Sequence, residues 1–197
     1  MEHLEIFHPY RVSNARFISS AITIWIEDMP VNGTMRGIRR KEKTIENMSE
    51  MLSILTNTKY ITIAMCQNDQ PYLVTLSHGF DAENNCIYFH CAQEGKKIDI
   101  LTSNNLVWGQ AIEDHGYAEG ACDHLYATVQ FMGRVTFIGD IEEKERALRI
   151  MVHALEPEPE KVIQEQISEK SLQRVNIGRI DIGFMSGKKS KEIVVIL

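Results

Sequence analysis

Three β-rich runs follow one another with almost nothing between them, and that spacing constrains the fold more than any other feature of the chain. Tyr60–Gln67 (YITIAMCQ), Pro71–Phe80 (PYLVTLSHGF) and Cys86–Cys91 (CIYFHC) are separated only by Asn68-Asp69-Gln70 and by Asp81–Asn85. Runs rich in Ile, Val, Thr and aromatic residues, broken by Asn, Asp and Gly, read as strands joined by tight turns. The expectation is an antiparallel meander.

Further strands are expected at Leu106–Glu113, at His124–Ile138 and at Gln173–Met185, with Asp114–Asp123 as a polar, Gly-containing loop. Gly133 lies inside the second of these, where a glycine suggests a bulge or a barrel bend. Helical spacing begins at Thr44, a plausible N-cap, and places Ile45, Met48, Met51, Leu52 and Leu55 on one face up to Asn57. Glu94–Ser103 and Ile141–Leu155 also read as helices, and a shorter one is expected to about Ser168. Six or seven antiparallel strands with inserted helices usually close into a barrel, which removes the exposed edges. The fold expectation is therefore mainly β.

The domain expectation is one barrel over residues 35–190. Residues 1–34 form an N-terminal extension whose Phe17–Glu27 stretch alternates like a single strand. Ser186–Lys191 reads as a basic turn, and residues 191–197 form an apolar tail.

The chain has 197 residues, 27 acidic against 21 basic, for a net charge of −6. That balance argues against general nucleic-acid binding, which draws on clustered Lys and Arg, but leaves room for one local phosphate pocket. No window resembles a membrane span, and Met1–Glu5 lacks a signal-peptide pattern. Cys66, Cys86, Cys91 and Cys122 make no Cys-x-x-Cys pair and are expected as reduced thiols in a cytoplasmic protein.

The stretch from Tyr88 to Lys97 carries the most chemistry. A strand ends here and a helix begins, with Lys96 and Lys97 in its first turn. The helix dipole disfavours positive charge there. A bound phosphate would reverse that penalty and accept the free backbone N–H groups. Gly95 would let a ligand approach the backbone. Two solvated lysines are the plainer alternative. His90, at the strand end, is either a hydrogen-bonded structural residue or a proton donor and substrate anchor. His115, Cys122 and His124 fit no structural zinc spacing, so no metal site is expected. Neither a P-loop, a Gly-x-Ser-x-Gly nor a Gly-x-Gly-x-x-Gly motif occurs.

These residues resemble a known family. Met35–Lys41 before a helix, Gln70-Pro71-Tyr72, Tyr88-Phe89-His90-Cys91-Ala92, Glu94-Gly95-Lys96-Lys97, Tyr126–Arg134 and Ile182–Lys188 are similar, in order and spacing, to the nitroimidazole-resistance (Nim-type) reductases. Those belong to the pyridoxamine 5′-phosphate oxidase-like, FMN-binding split-barrel superfamily. The resemblance implies a six-stranded antiparallel split β-barrel of Greek-key type, a homodimer, and FMN at the dimer interface. It implies that Lys96 and Lys97 hold the FMN phosphate and that Val74–His78 runs along the flavin ring. Thr75, Leu76, Ser77 and His78 would touch the ring, largely through backbone. Cys91 and Gly95 would flank the cofactor, and His90 would be the catalytic residue. Met35 sits where such proteins commonly start, and His78-Gly79 stands where an aromatic residue is usual. The implied function is an FMN-dependent oxidoreductase that takes electrons from a donor such as a reduced nicotinamide and reduces a small organic compound, nitroaromatics included. The alternative is a non-catalytic flavin or haem carrier or sensor on the same barrel, with Cys91, His90 and the His115–His124 loop available for ligation. Vitamin B6 oxidation proper lacks a basic and aromatic C-terminal signature here.

Overall fold

The computed structural model describes residues 37–196. The expected strand within Phe17–Glu27 lies outside them. The chain divides between Lys41 and Glu42, and the fold below is that of the unit from Glu42 onward.

Strands β1 (Thr44–Ile45), β2 (Tyr60–Gln67), β3 (Gln70–Ser77), β4 (Gly79–Asp81), β5 (Cys86–Cys91), β6 (Leu106–Ala118), β7 (Asp123–Phe137) and β8 (Asn176–Lys189) form one antiparallel sheet. Its order is β3-β2-β6-β7-β8-β5-β4, and β1 pairs with β8. Six long strands make the barrel wall, while β1 and β4, of two and three residues, are marginal additions. The hydrogen-bonded wall does not close. β3 and β5 come within Cα separations of 8 Å, yet no ladder joins them. This seam splits the barrel.

The meander expectation holds in part: β2 pairs with β3, and β4, the end of the second run, pairs with β5, but the run breaks at His78 and β3 itself does not pair with β5. Asn68 and Asp69, both at positive φ (50° and 61°), make the two-residue turn that the right-handed twist of a hairpin favours. On its other edge β5 pairs with β8, from Cys86↔Asp181 to Cys91↔Asn176. Residues Cys86 to Phe89 are buried on both faces, as expected for a strand held between β4 and β8.

Five helices complete the unit: α1 (Met48–Asn57), α2 (Lys96–Ser103), α3 (Ile141–Leu155), α4 (Pro159–Gln166) and α5 (Glu169–Arg174). Thr44 is not a helix cap; it pairs with Lys188 in β1. Asn47 caps α1 instead, its side chain accepting from the Ser49 N–H at 2.9 Å. Met51, Ile54 and Leu55 of α1 fill the barrel core with Ile61, Ile63, Phe89, Phe131 and Ile180. A smaller cluster lies beneath α3, where Ala147 and Met151 pack on Cys86, Tyr88 and Ile177. α5 was absent from the sequence reading; Ser168 and Ser171 form a reciprocal capping box at its start.

Of the polar stretch after Glu113, only residues 119–122 form a turn. β6 runs on to Ala118 and β7 begins at Asp123, with a bulge between Asp114 and Tyr117. Cross-strand pairing satisfies the backbone there despite the polar side chains. The register against β8 shifts at Met132/Gly133, the bend expected at Gly133. β8 likewise continues through Ser186–Lys189, read above as a turn. In the tail, Val195 is buried while Val194 and Ile196 are exposed. Among the described residues no helix is long and apolar enough to cross a membrane.

Candidate functional site

Helix α2 follows β5 after four residues and packs against β2, and its first two lysines reach rings on β3 and β5. Gly95 is the N-cap of α2, with φ 129° and ψ 170°. That region of backbone space is open essentially to glycine alone. Its carbonyl accepts the N–H of Ile98 at 2.8 Å and of Asp99 at 3.1 Å. The amides of Lys96 and Lys97, first in the helix, have no intrahelical acceptor. A Cβ built on Gly95 meets nothing within 4 Å, so the backbone there faces open space.

Neither lysine is simply solvated. Lys96 Nζ lies 4.5 Å from the centroid of the Tyr72 ring, and Lys97 Nζ lies 5.4 Å from that of Phe89. Each ring face attracts the ammonium and holds it where the helix dipole alone would repel it. Two ammoniums, free helix amides and an uncovered glycine are the donor set a phosphate monoester takes. An FMN phosphate therefore fits these residues.

Strand alternation sorts the remaining candidates. On β3, Thr75 and Ser77 are exposed on the outside of the barrel, while Leu76 turns inward against the core. The Thr75 hydroxyl lies 3.1 Å from that of Thr62. On β5, His90 is exposed, whereas Phe89 and Cys91 pack inward. Thr75 and Ser77 thus stand exposed on one face of β3, His90 is exposed near the end of β5, and Gly95 and Lys96 are exposed at the start of α2. Burial pushes the Cys91 thiol up, and Lys97 nearby pulls it partly back down.

His78 departs from the expected ring-contacting set. It is 1% exposed, and its Nε2–H donates to the Leu55 carbonyl at 2.9 Å. Its Nδ1 has no partner. Burial holds its pKa below 6.5. The side chain ties the end of β3 to α1 and does not face the seam.

His124, raised above as a conceivable ligand, bonds Asp114 at 2.9 Å across the β6–β7 hairpin. All four cysteines are free.

The sequence reading missed Tyr72 and Phe89 as partners of the lysines. Alternation already set both rings inward, but the pairing with α2 is long-range and leaves no local signal. It also missed a network behind β5. Arg146 donates to the Tyr88 hydroxyl at 2.8 Å, and that hydroxyl donates to Glu143 at 3.2 Å. Arg179 reaches Glu143 at 2.9 Å and Asp181 at 2.7 Å. Burial pushes the Tyr88 hydroxyl well above its usual range and the Cys86 thiol up to about 11. These groups tie α3 to the wall.

Residues 47–189 match the family model described as pyridoxamine 5′-phosphate oxidase. This chain belongs to the pyridoxamine 5′-phosphate oxidase family. The family assignment spans the whole barrel and the α2 cradle. The chain is similar to a candidate 5-nitroimidazole antibiotic resistance protein from Bacteroides thetaiotaomicron, at 26% identity and a TM-score of 0.64, over 74% of this chain and 85% of that one. It also shares its fold with the flavocytochrome Anf3 from Azotobacter vinelandii, at 18% identity and a TM-score of 0.67, over 79% and 72% of the two chains. A third likeness is to an FAD-binding protein from Mesorhizobium loti, at 22% identity and a TM-score of 0.55, over 75% and 97%. No curated protein matches.

Proposed function

We propose that the chain is an FMN-dependent oxidoreductase acting on a small organic compound, nitroaromatics among the candidate substrates. The observation that carries this reading is the Gly95–Lys97 cradle beside the open β3–β5 seam, in a member of a family named for an FMN enzyme and similar to a candidate nitroimidazole-resistance protein.

Lys96 and Lys97 would pair with the phosphate while the free amides of α2 hydrogen-bond it. Thr75 and Ser77 would lie along the ring on the exposed side of β3. A bound flavin supplies the electron-transfer chemistry. His90, exposed at the end of β5, would hold a proton on its imidazole and deliver it to the substrate.

The outer face of the sheet supports a homodimer that buries the cofactor. Leu73, Ala64, Trp108, Met132 and Phe184 stand in register across five strands. Leu73 is 63% and Trp108 40% exposed. A continuous apolar row of that kind on a sheet face marks an interaction surface.

The decisive experiment is a visible absorption spectrum of the purified chain, followed by identification of the ligand released on denaturation. Flavin bands and released FMN are expected, and replacing both Lys96 and Lys97 with Ala should abolish FMN retention. A colourless protein that takes up no added FMN would overturn the reading, and full flavin content in the double variant would overturn the phosphate assignment. A Soret band with no flavin-dependent reduction would favour a haem carrier instead.

A further inference from the structure

The two halves of the cradle belong to different sides of the split. Thr75 and Ser77 lie on β3; Lys96 lies beyond β5, at the start of α2. No backbone ladder connects these strands. Tyr72 spans the gap, because it stands on β3 and its ring receives the Lys96 ammonium at 4.5 Å. The ring is itself fixed, paired in register with Met65 of β2 and packed against the core.

We propose that Tyr72 is a positioning residue for the cofactor phosphate, acting through Lys96; this rests on the flavin reading above. A lysine carries several rotatable bonds, and in the first turn of a helix its charge is driven outward by the dipole. Left alone, the Lys96 ammonium would explore solvent and lose that freedom only when a phosphate arrived. Held over the Tyr72 ring, it has already lost much of it, so less is lost on binding. The attraction uses the negative face of the ring and not the hydroxyl. Phenylalanine should therefore serve nearly as well as tyrosine, and an aliphatic residue should not.

Tyr72 thereby makes the grip on the phosphate depend on the strand that flanks the flavin ring. A flavin without a phosphate gains nothing from the arrangement. Comparing FMN with riboflavin, identical in the ring, isolates the contribution.

The test is a fluorescence titration of the full chain, freed of flavin, with FMN and with riboflavin. Tyr72→Leu should weaken FMN binding by about 3- to 10-fold and leave riboflavin unchanged. Tyr72→Phe should bind FMN as the parent does. In a Lys96→Ala background, Tyr72→Leu should have no further effect on FMN. Tyr72→Thr, a good strand former, replaces the leucine variant if that one does not fold. Equal loss of FMN and riboflavin, or an undiminished effect without Lys96, would overturn the positioning role while leaving the cofactor reading intact. Failure of the parent chain to bind either flavin would remove the cofactor reading and this role with it.

Discussion

Three residues near the seam carry distinct physical demands. Gly95 sits at φ 129°, where a Cβ is strained even though the space around it is open. Gly95→Ala should therefore cost about 1–3 kcal/mol in urea unfolding of the ligand-free chain and weaken FMN uptake. His78 is buried and its pKa lies below 6.5, so the folded state binds its proton less readily than the unfolded chain does. Its contribution to stability is complete above about pH 6.5 and falls as pH drops towards the folded-state value. Unfolding free energies measured between pH 7 and pH 5 should show that decline, and His78→Gln should flatten it. His90 has no such structural tie. His90→Ala should retain FMN and lose turnover by about 10²-fold or more, the scale of a lost general acid. Unchanged steady-state rates would remove it from the chemistry.

At the scale of elements, the sheet accommodates aromatic rings over bare backbone. A Cβ on Gly109 would fall 2.1 Å from the Phe131 ring, and one on Gly178 would fall 2.2 Å from Phe89. β6 and β8 therefore tolerate no side chain at these positions unless the ring moves. Gly178→Ala should destabilise by about 1–3 kcal/mol through overpacking. The same change should tilt Phe89, and Lys97 rests on that ring. A loss of FMN affinity alongside the loss of stability would reveal the coupling; Gly109→Ala, away from the lysines, should destabilise without it. Helix α3 depends on its cap, where Asp140 accepts the Glu143 N–H at 2.8 Å. Its inner side abuts β4 so closely that a Cβ on Gly79 would lie 2.9 Å from the Met151 backbone nitrogen.

For the whole molecule, the open seam and the outer apolar row are complementary features. A lone barrel leaves the seam exposed and the row from Leu73 to Phe184 wet. The edge of Trp108 meets Phe184 with ring centroids 5.9 Å apart, so the row is already assembled across three strands. A second copy laid on this face would cover both features. Trp108→Glu should shift the chain from dimer to monomer in sedimentation velocity, at a cost of about 2–4 kcal/mol in association, the scale of a central aromatic anchor. FMN should be lost in parallel. A monomeric parent chain would remove the dimer from the proposal.

Much of this was written locally. The strand runs, the helix at Ile141–Leu155, the Gly133 bend and the Gly-Lys-Lys start of α2 follow from alternation, helical spacing and turn chemistry, which act over a few residues. The order of family-like motifs along the chain carried the barrel. What the sequence could not determine is which strands pair at long range. β5 keeps its chain neighbour β4 on one edge and takes β8, about ninety residues away, on the other, a position in which both its faces are buried. Polar stretches at Asp114–Ala118 and Ser186–Lys189 become strands because a partner backbone satisfies their N–H and C=O groups, irrespective of side-chain polarity. The same reason separates the site residues. Their identities were legible from the chain, but the seating of Lys96 on Tyr72 and of Lys97 on Phe89, and the retreat of His78 into the core, were decided by packing between distant segments.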